Sequence, residues 1–271
     1  MKKSNKPFMK TPFQKLNEIL LDGKGITPGQ MVMINSLADA RRIELMSDLC
    51  FGFSLYNKPV PTDPAKKPMI LRFIRSEHFE AEKARLTDRF ESIVKNGGPT
   101  HSEYMEQCNT IYRVFSADKS LLELEKIFGE ARNLTQEGYE LKMVIIDDFD
   151  MIKFKEKNNI FQRLLELREF FKPMGTIVVF HADIINESGL LSRVDPEAFF
   201  ERLVKTGVRD KNNNRLDLIV DVQLGLSFES IDDENKLYVH TAKVRGSIKP
   251  PQTATINVDD NGIFVYDVDY N

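Results

Sequence analysis

The chain has no tryptophan, only 2 cysteines, and a net charge of −3 from 38 basic and 41 acidic residues. Cys50 and Cys108 each fall within an expected helix and lack metal-ligand spacing, which excludes a disulfide framework and points to a reducing compartment. The near-balanced charge excludes a global basic field, so any nucleic-acid contact must come from a local patch. No apolar run approaches the length of a membrane span, and the start "MKKSNKPFMK" lacks a signal-peptide core, so a cytoplasmic protein is expected. What remains is ordinary: 41% hydrophobic and 29% charged residues over 271 positions suit an α/β fold with a packed core.

One further absence bears on chemistry. "PGQMVMINSLADARRIELMSDLC", residues 28–50, has the outline of a nucleotide-binding start: a turn, an apolar strand, a loop and a helix. A working phosphate loop needs glycines so that backbone N–H groups wrap phosphate oxygens, a lysine for the β and γ phosphates, and a hydroxyl for magnesium. None stands in place here, where the stretch after Ser36 carries Asp39, Arg41, Arg42 and Ile43. The two arginines supply charge at a helix N-terminus, an anion-friendly place, but Asp39 opposes them. The missing groups favour a structural loop over a triphosphate site.

The remaining pattern alternates strands and helices. Thr11 is expected to cap a first helix with Pro12 at its first position, its stripe formed by Leu16, Ile19 and Leu20. Unbroken apolar runs at Gln30–Asn35, "PMILRFI", "LKMVIIDDFD" and "TIVVFHAD" read as strands covered on both faces. Helices are expected over 41–55, "HFEAEKARLTDRFESIVKN", "ADKSLLELEKIFGEARNL" and "NIFQRLLELREFFKPMG", with a further strand at Thr110–Phe115. "RLDLIVDVQLGLSFE", "KLYVHTAKV" and "TATINVDDNGIFVYD" read as late strands, the last holding an Asn261-Gly262 turn. The expected architecture is a mostly parallel sheet with helices on both faces and antiparallel C-terminal strands. It forms one domain over 11–271 behind a tail of residues 1–10.

Ligands of open α/β sheets sit beyond the carboxyl ends of the strands. Asp147, after "MVII", suits an acid that helps to hold magnesium, or is a solvated strand end. Glu77, after "RFIRS", could orient an attacking water; Ser76 capping the next helix, with Glu77 favouring its positive end, is the stronger reading of those residues alone. His181 suits a γ-phosphate sensor or a satisfied, partly buried histidine, and no ligand pattern beside it supports a metal.

Together these pieces resemble the RecA-like motor domain of hexameric replicative helicases, the DnaB family and its phage relatives. "TPFQKLNEILLDGKGITPGQMVMI" is similar to that family's start, and "ILRFIRSEHFEAEKARLTDRF" to its strand, acid and helix with a late arginine. The resemblance implies a RecA-like P-loop fold, the catalytic glutamate's role on Glu77, the Walker B acid on Asp147, and nucleotide sensing on His181. Lys243-Val244-Arg245-Gly246 matches the family's Lys-x-Arg element, implying a finger that reaches into a neighbouring subunit's site. In the register set by Pro28-Gly29, Arg42 and Ile43 stand where the family has its lysine and hydroxyl residue. The N-terminal domain of the bacterial helicases is not expected, because the core begins at about residue 11.

Three functions remain open at this stage. The first is a pseudo-ATPase acting as subunit or scaffold in phage-type DNA replication or recombination, in the host cytoplasm if phage-encoded, with itself or paralogous RecA-like subunits as partners and no cofactor. The second is an active ATP- and magnesium-dependent helicase or recombinase with an unorthodox loop, in which Asp147 contacts the metal. It ranks second because losing one transition-state donor already costs about 3 kcal/mol. The third is a structural protein that has left nucleic acids. Arg193, Lys205, Arg209, Lys211 and Arg215, interrupted by acids, form either a solvated loop or contacts to single-stranded DNA.

Overall fold

Short apolar runs bounded by turns form the strands, and their unbroken burial shows that both sheet faces are covered. The computed structural model describes residues 9–20, 25–36, 41–57, 59–95, 98, 100, 102–103, 111–117, 122–147, 149, 152–153, 160–182, 200–201, 203–204, 214–231, 234–245, 247, 250–259 and 262–267. The strands are β1 (Met31–Ser36), β2 (Lys67–Arg75), β3 (Ile111–Ala117), β4 (Leu122–Glu123), β5 (Tyr139–Ile146), β6 (Ile152–Lys153), β7 (Ile177–His181), β8 (Val222–Ile231), β9 (Glu234–Val244) and β10 (Thr253–Val258). The helices are α1 (Gln14–Ile19), α2 (Arg42–Asn57), α3 (Phe79–Lys95), α4 (Leu124–Gln136) and α5 (Ile160–Phe171).

Among the described residues, eight strands form one sheet in the order β10-β9-β8-β1-β7-β5-β2-β3. The six from β8 to β3 run parallel, and β9 and β10 close the sheet antiparallel. This is the mostly parallel architecture expected from the alternating pattern. Ile34 pairs with His181, Ile146 with Phe180, and Phe73 with Ile146, so Ser36, His181, Asp147 and Arg75 all emerge at one edge.

The period of two along each strand divides the core. Met33, Phe73, Val144, Ile146 and Phe180 pack with Ile127 and Leu134 of α4 and Leu164 and Phe171 of α5. Ile34, Ile70, Ile145 and Val179 pack on the other face with Leu16 of α1 and Leu45, Met46, Leu49 and Phe53 of α2. Among the described residues, no helix is long and apolar enough to cross a membrane.

Three local expectations need correction. Thr11 does not cap a helix beginning at Pro12; α1 begins at Gln14, after Phe13, without a side-chain cap. Buried Asn17 reaches back instead, accepting from Thr11 N (2.7 Å) and donating to Thr11 O (2.8 Å), so 11–13 are held as a turn. The strand read at "RLDLIV" starts only at Val222, because Leu216–Leu218 form a 3-10 turn. The helix read over "ADKSLLELEK" begins at Leu124, because Leu122 and Glu123 pair with Ile152 and Lys153 in a small second sheet.

Gly52 lies within α2 against the ring of Pro12, where an added Cβ would stand 2.5 Å from Cγ. Alanine normally favours a helix by about 1 kcal/mol over glycine. Here the rigid proline ring cannot yield, so Gly52→Ala is expected to destabilise by about 1–3 kcal/mol in urea unfolding. A stabilised variant would show that the segment before α1 yields freely.

Candidate functional site

The edge that gathers Ser36, His181, Asp147 and Glu77 is where an open α/β sheet takes its ligand. Its polar groups begin at the end of β1. Ser36 Oγ lies 3.1 Å from His181 Nε2, and that ring is buried. Beside it Asn35 donates to Ala182 O (2.7 Å) and accepts from Gln223 Nε2 (3.1 Å), forming a polar rung across β7, β1 and β8. The structure thus brings Ser36 and His181 together.

The loop after β1 carries Asp39, which lies outside the described residues. Arg41 closes it with φ 49°, a left-handed conformation costly for a residue with a Cβ. Its guanidinium donates to Gly262 O (2.6 Å) and sits over the Phe228 ring, 5.0 Å from its centroid. Arg41 is therefore committed to the C-terminal turn. Arg42 opens α2, and the Ile43 carbonyl accepts from Ser47 Oγ (2.9 Å).

At the centre stands a residue that the sequence reading passed over. Arg72, in the middle of β2, is fully buried on the face shared with Ile70 and α2. Its Nη2 donates to Asp147 Oδ2 (2.7 Å) and reaches the Ile43 carbonyl (3.4 Å). Its Nη1 donates to Glu82 Oε1 (2.7 Å) and Ser47 Oγ (2.8 Å). Arg85 adds a bond to Glu82 Oε2 (2.8 Å). Two guanidinium and two carboxylate groups meet here, and their formal charges cancel. A charge inside an otherwise apolar run must be paired, so "ILRFI" contained the signal for such a network.

Glu77 leaves β2 in a 3-10 turn, Ser76–His78. Ser76 is no side-chain cap there, correcting that alternative reading. The Glu77 carboxylate is 57% exposed, 4.0 Å from Arg75 Nη1 and 3.6 Å from His78 Nε2.

Lys243 and Arg245 lie at the opposite edge, because β9 pairs Gln223 with Lys243 near the start of β8. Lys243 donates to the Asp217 carbonyl, and burial, with Arg245 adding, pulls its ammonium below the usual lysine range. Arg245 pairs with Asp221 (3.1 Å) and is 46% exposed. Asp221 also accepts from Met31 N (3.0 Å) and Arg168 (3.0 Å), fastening the start of β1 to α5. Arg215 bonds both oxygens of Asp217, at 3.2 and 2.6 Å. Arg193, Lys205, Arg209, Lys211 and Cys108 lie outside the described residues.

Comparison with known proteins matches the first third of the chain and the whole fold. Residues 1–98 match the family model of the Divergent DnaB-like ATPase. The solved ATPase domain of a DnaB-like helicase superposes with a TM-score of 0.60 at 13% identity, covering 97% of this chain and 93% of that one. A KaiC-like protein, PH0186 of the hyperthermophilic archaeon Pyrococcus horikoshii, superposes with a TM-score of 0.56 at 15% identity, covering 94% and 97%. No curated relative matches the chain. The resemblance to a DnaB-like ATPase domain is thereby shown, and the fold is RecA-like.

Proposed function

We propose that this RecA-like, DnaB-like chain is a pseudo-ATPase, a subunit or scaffold of phage-type DNA replication or recombination that turns over no ATP itself. The observation that carries the reading is the start of α2. Ile43 offers no hydroxyl, no lysine precedes it, and Arg41 is turned to Gly262 and Phe228. A phosphate cradle depends on those groups acting together.

Assembly is part of the same proposal, either with itself or with an active RecA-like paralogue. Arg245, half-exposed at the edge opposite Glu77 and Asp147, is the group available to a neighbour's site, once it leaves Asp221. Contact with single-stranded DNA rests on the basic residues between Arg193 and Arg215.

The full chain with Mg-ATP is expected to release no phosphate above a protein-free blank, and Glu77→Gln is expected to change nothing. Turnover abolished by Glu77→Gln would end the proposal in favour of an active helicase or recombinase. Neutralising Lys205, Arg209 and Lys211 is expected to weaken single-strand binding and flatten its salt dependence, as measured by fluorescence anisotropy across a salt series.

A further inference from the structure

Magnesium is the metal that the resemblance implies for Asp147, and the residues present do not fit it. Magnesium takes oxygen ligands at about 2.1 Å and retains several waters. Asp147 is only 4% exposed, and its Oδ2 is bonded to a guanidinium at 2.7 Å. That guanidinium also reaches Ile43 O, the residue standing where the family's metal-binding hydroxyl would be. A divalent ion would bring two more positive charges to a cluster whose two arginines and two acids already cancel.

We infer that Arg72 is the resident cation of this site: its guanidinium occupies the place of the divalent ion between Asp147 and the first turn of α2, and makes the site independent of metal. The inference builds on the pseudo-ATPase reading, but its test does not use turnover.

Three features support the assignment. Arginine stays charged at every accessible pH, so the occupant cannot be titrated away. Its planar fork spans two directions at once, holding Asp147 through Nη2 and Glu82 through Nη1. Those partners come from β5 and α3, while Ser47 and Ile43 belong to α2. One side chain thus joins the strand bearing the acid to both helices on that face, tying together the groups that a metal-dependent site would hold through its ion.

The test is a Mn2+ titration of the full chain, followed by the electron paramagnetic resonance of free Mn2+, for the wild type, Asp147→Asn and Arg72→Gln. Asp147→Asn retains an oxygen acceptor for Arg72, so its fold is expected to survive. The inference expects wild type and Asp147→Asn to take up the same Mn2+, with none assignable to Asp147. It expects folded Arg72→Gln to gain one equivalent, lost again in Arg72→Gln/Asp147→Asn. Wild-type uptake of one equivalent that Asp147→Asn lacks would overturn it, while leaving the hydrolysis reading to the turnover assay. A folded Arg72→Gln that binds no Mn2+ would likewise overturn the positional equivalence. Should Arg72→Gln fail to fold, the wild type and Asp147→Asn decide the matter between them.

Discussion

Replacing Arg72 with methionine is expected to lower the free energy of unfolding by about 3–5 kcal/mol, in the range for breaking a buried ion pair by removing one partner. Methionine fills much of the same volume, so the loss is electrical rather than a cavity effect. Glu82 and Asp147, only 2% and 4% exposed, would face each other's charge with Arg85 alone reaching Glu82. Against a typical total of about 5–15 kcal/mol, this is enough to move the urea midpoint far. The cause can be separated from simple packing. Arg72→Met combined with Asp147→Asn and Glu82→Gln removes the stranded charges, so the combined variant should regain much of the loss, a strong non-additivity. A surface pair provides the contrast: Lys83 and Glu80, 2.9 Å apart but well exposed, should cost only about 0–1 kcal/mol when broken. An Arg72→Met cost no larger than that surface pair would contradict the buried network.

How far the sequence reveals these features depends on the range of the interactions. The parallel strands were legible because burial on both faces leaves no polar residue in "MVMI", "MVII" or "IVVF", and nothing else in the chain looks like that. Their carboxyl ends placed Glu77, Asp147 and His181 along one edge, and the register confirms that placement. The partner of Asp147 was not found. It requires knowing that β2 lies next to β5 with Phe73 opposite Ile146, a pairing that no local pattern encodes. The same holds for Arg41, whose partner Gly262 is 221 residues away. Thr11 misled for the opposite reason: its cap signal was local and sound, but Asn17 offered its backbone a better bond. Arg72 itself was legible in principle, as a charge inside an apolar strand. The sequence reading took that run for its length and missed its exception.

A second buried arginine should behave differently, because the acid beside it can take up a proton. Arg89 of α3 donates to Asp48 of α2 (2.5 Å) and to the Phe264 carbonyl, and stacks over Tyr266, whose hydroxyl also donates to Asp48 (2.8 Å). These contacts staple α2 and α3 to the C-terminal segment. Burial pushes the Asp48 carboxyl up from 3.8 to about 6, against the opposing pull of Arg89 and Tyr266. Burial also keeps the Tyr266 phenol protonated, well above its usual range. Burial alone would lower Arg89, but the Tyr266 and Asp48 fields raise it, so it is charged throughout. A folded pKa above the unfolded one means that the folded state holds the proton more tightly. The Asp48 contribution is therefore full below about pH 4 and is lost as pH rises through 6. Arg89→Met removes a group that lowers this pKa, so Asp48 rises further and the loss extends to higher pH. The variant is expected to cost about 3–5 kcal/mol at pH 8, where a lone carboxylate is buried. At pH 5 that acid is neutral, and the cost should be smaller by at least about 1.4 kcal/mol, the equivalent of one pKa unit. Urea unfolding of wild type and Arg89→Met at both pH values measures the difference. Adding Asp48→Asn to Arg89→Met should abolish its pH dependence, whereas the lost stacking on Tyr266 and the bond to Phe264 would persist at either pH. A cost that stays constant with pH would assign the whole effect to those contacts and none to Asp48.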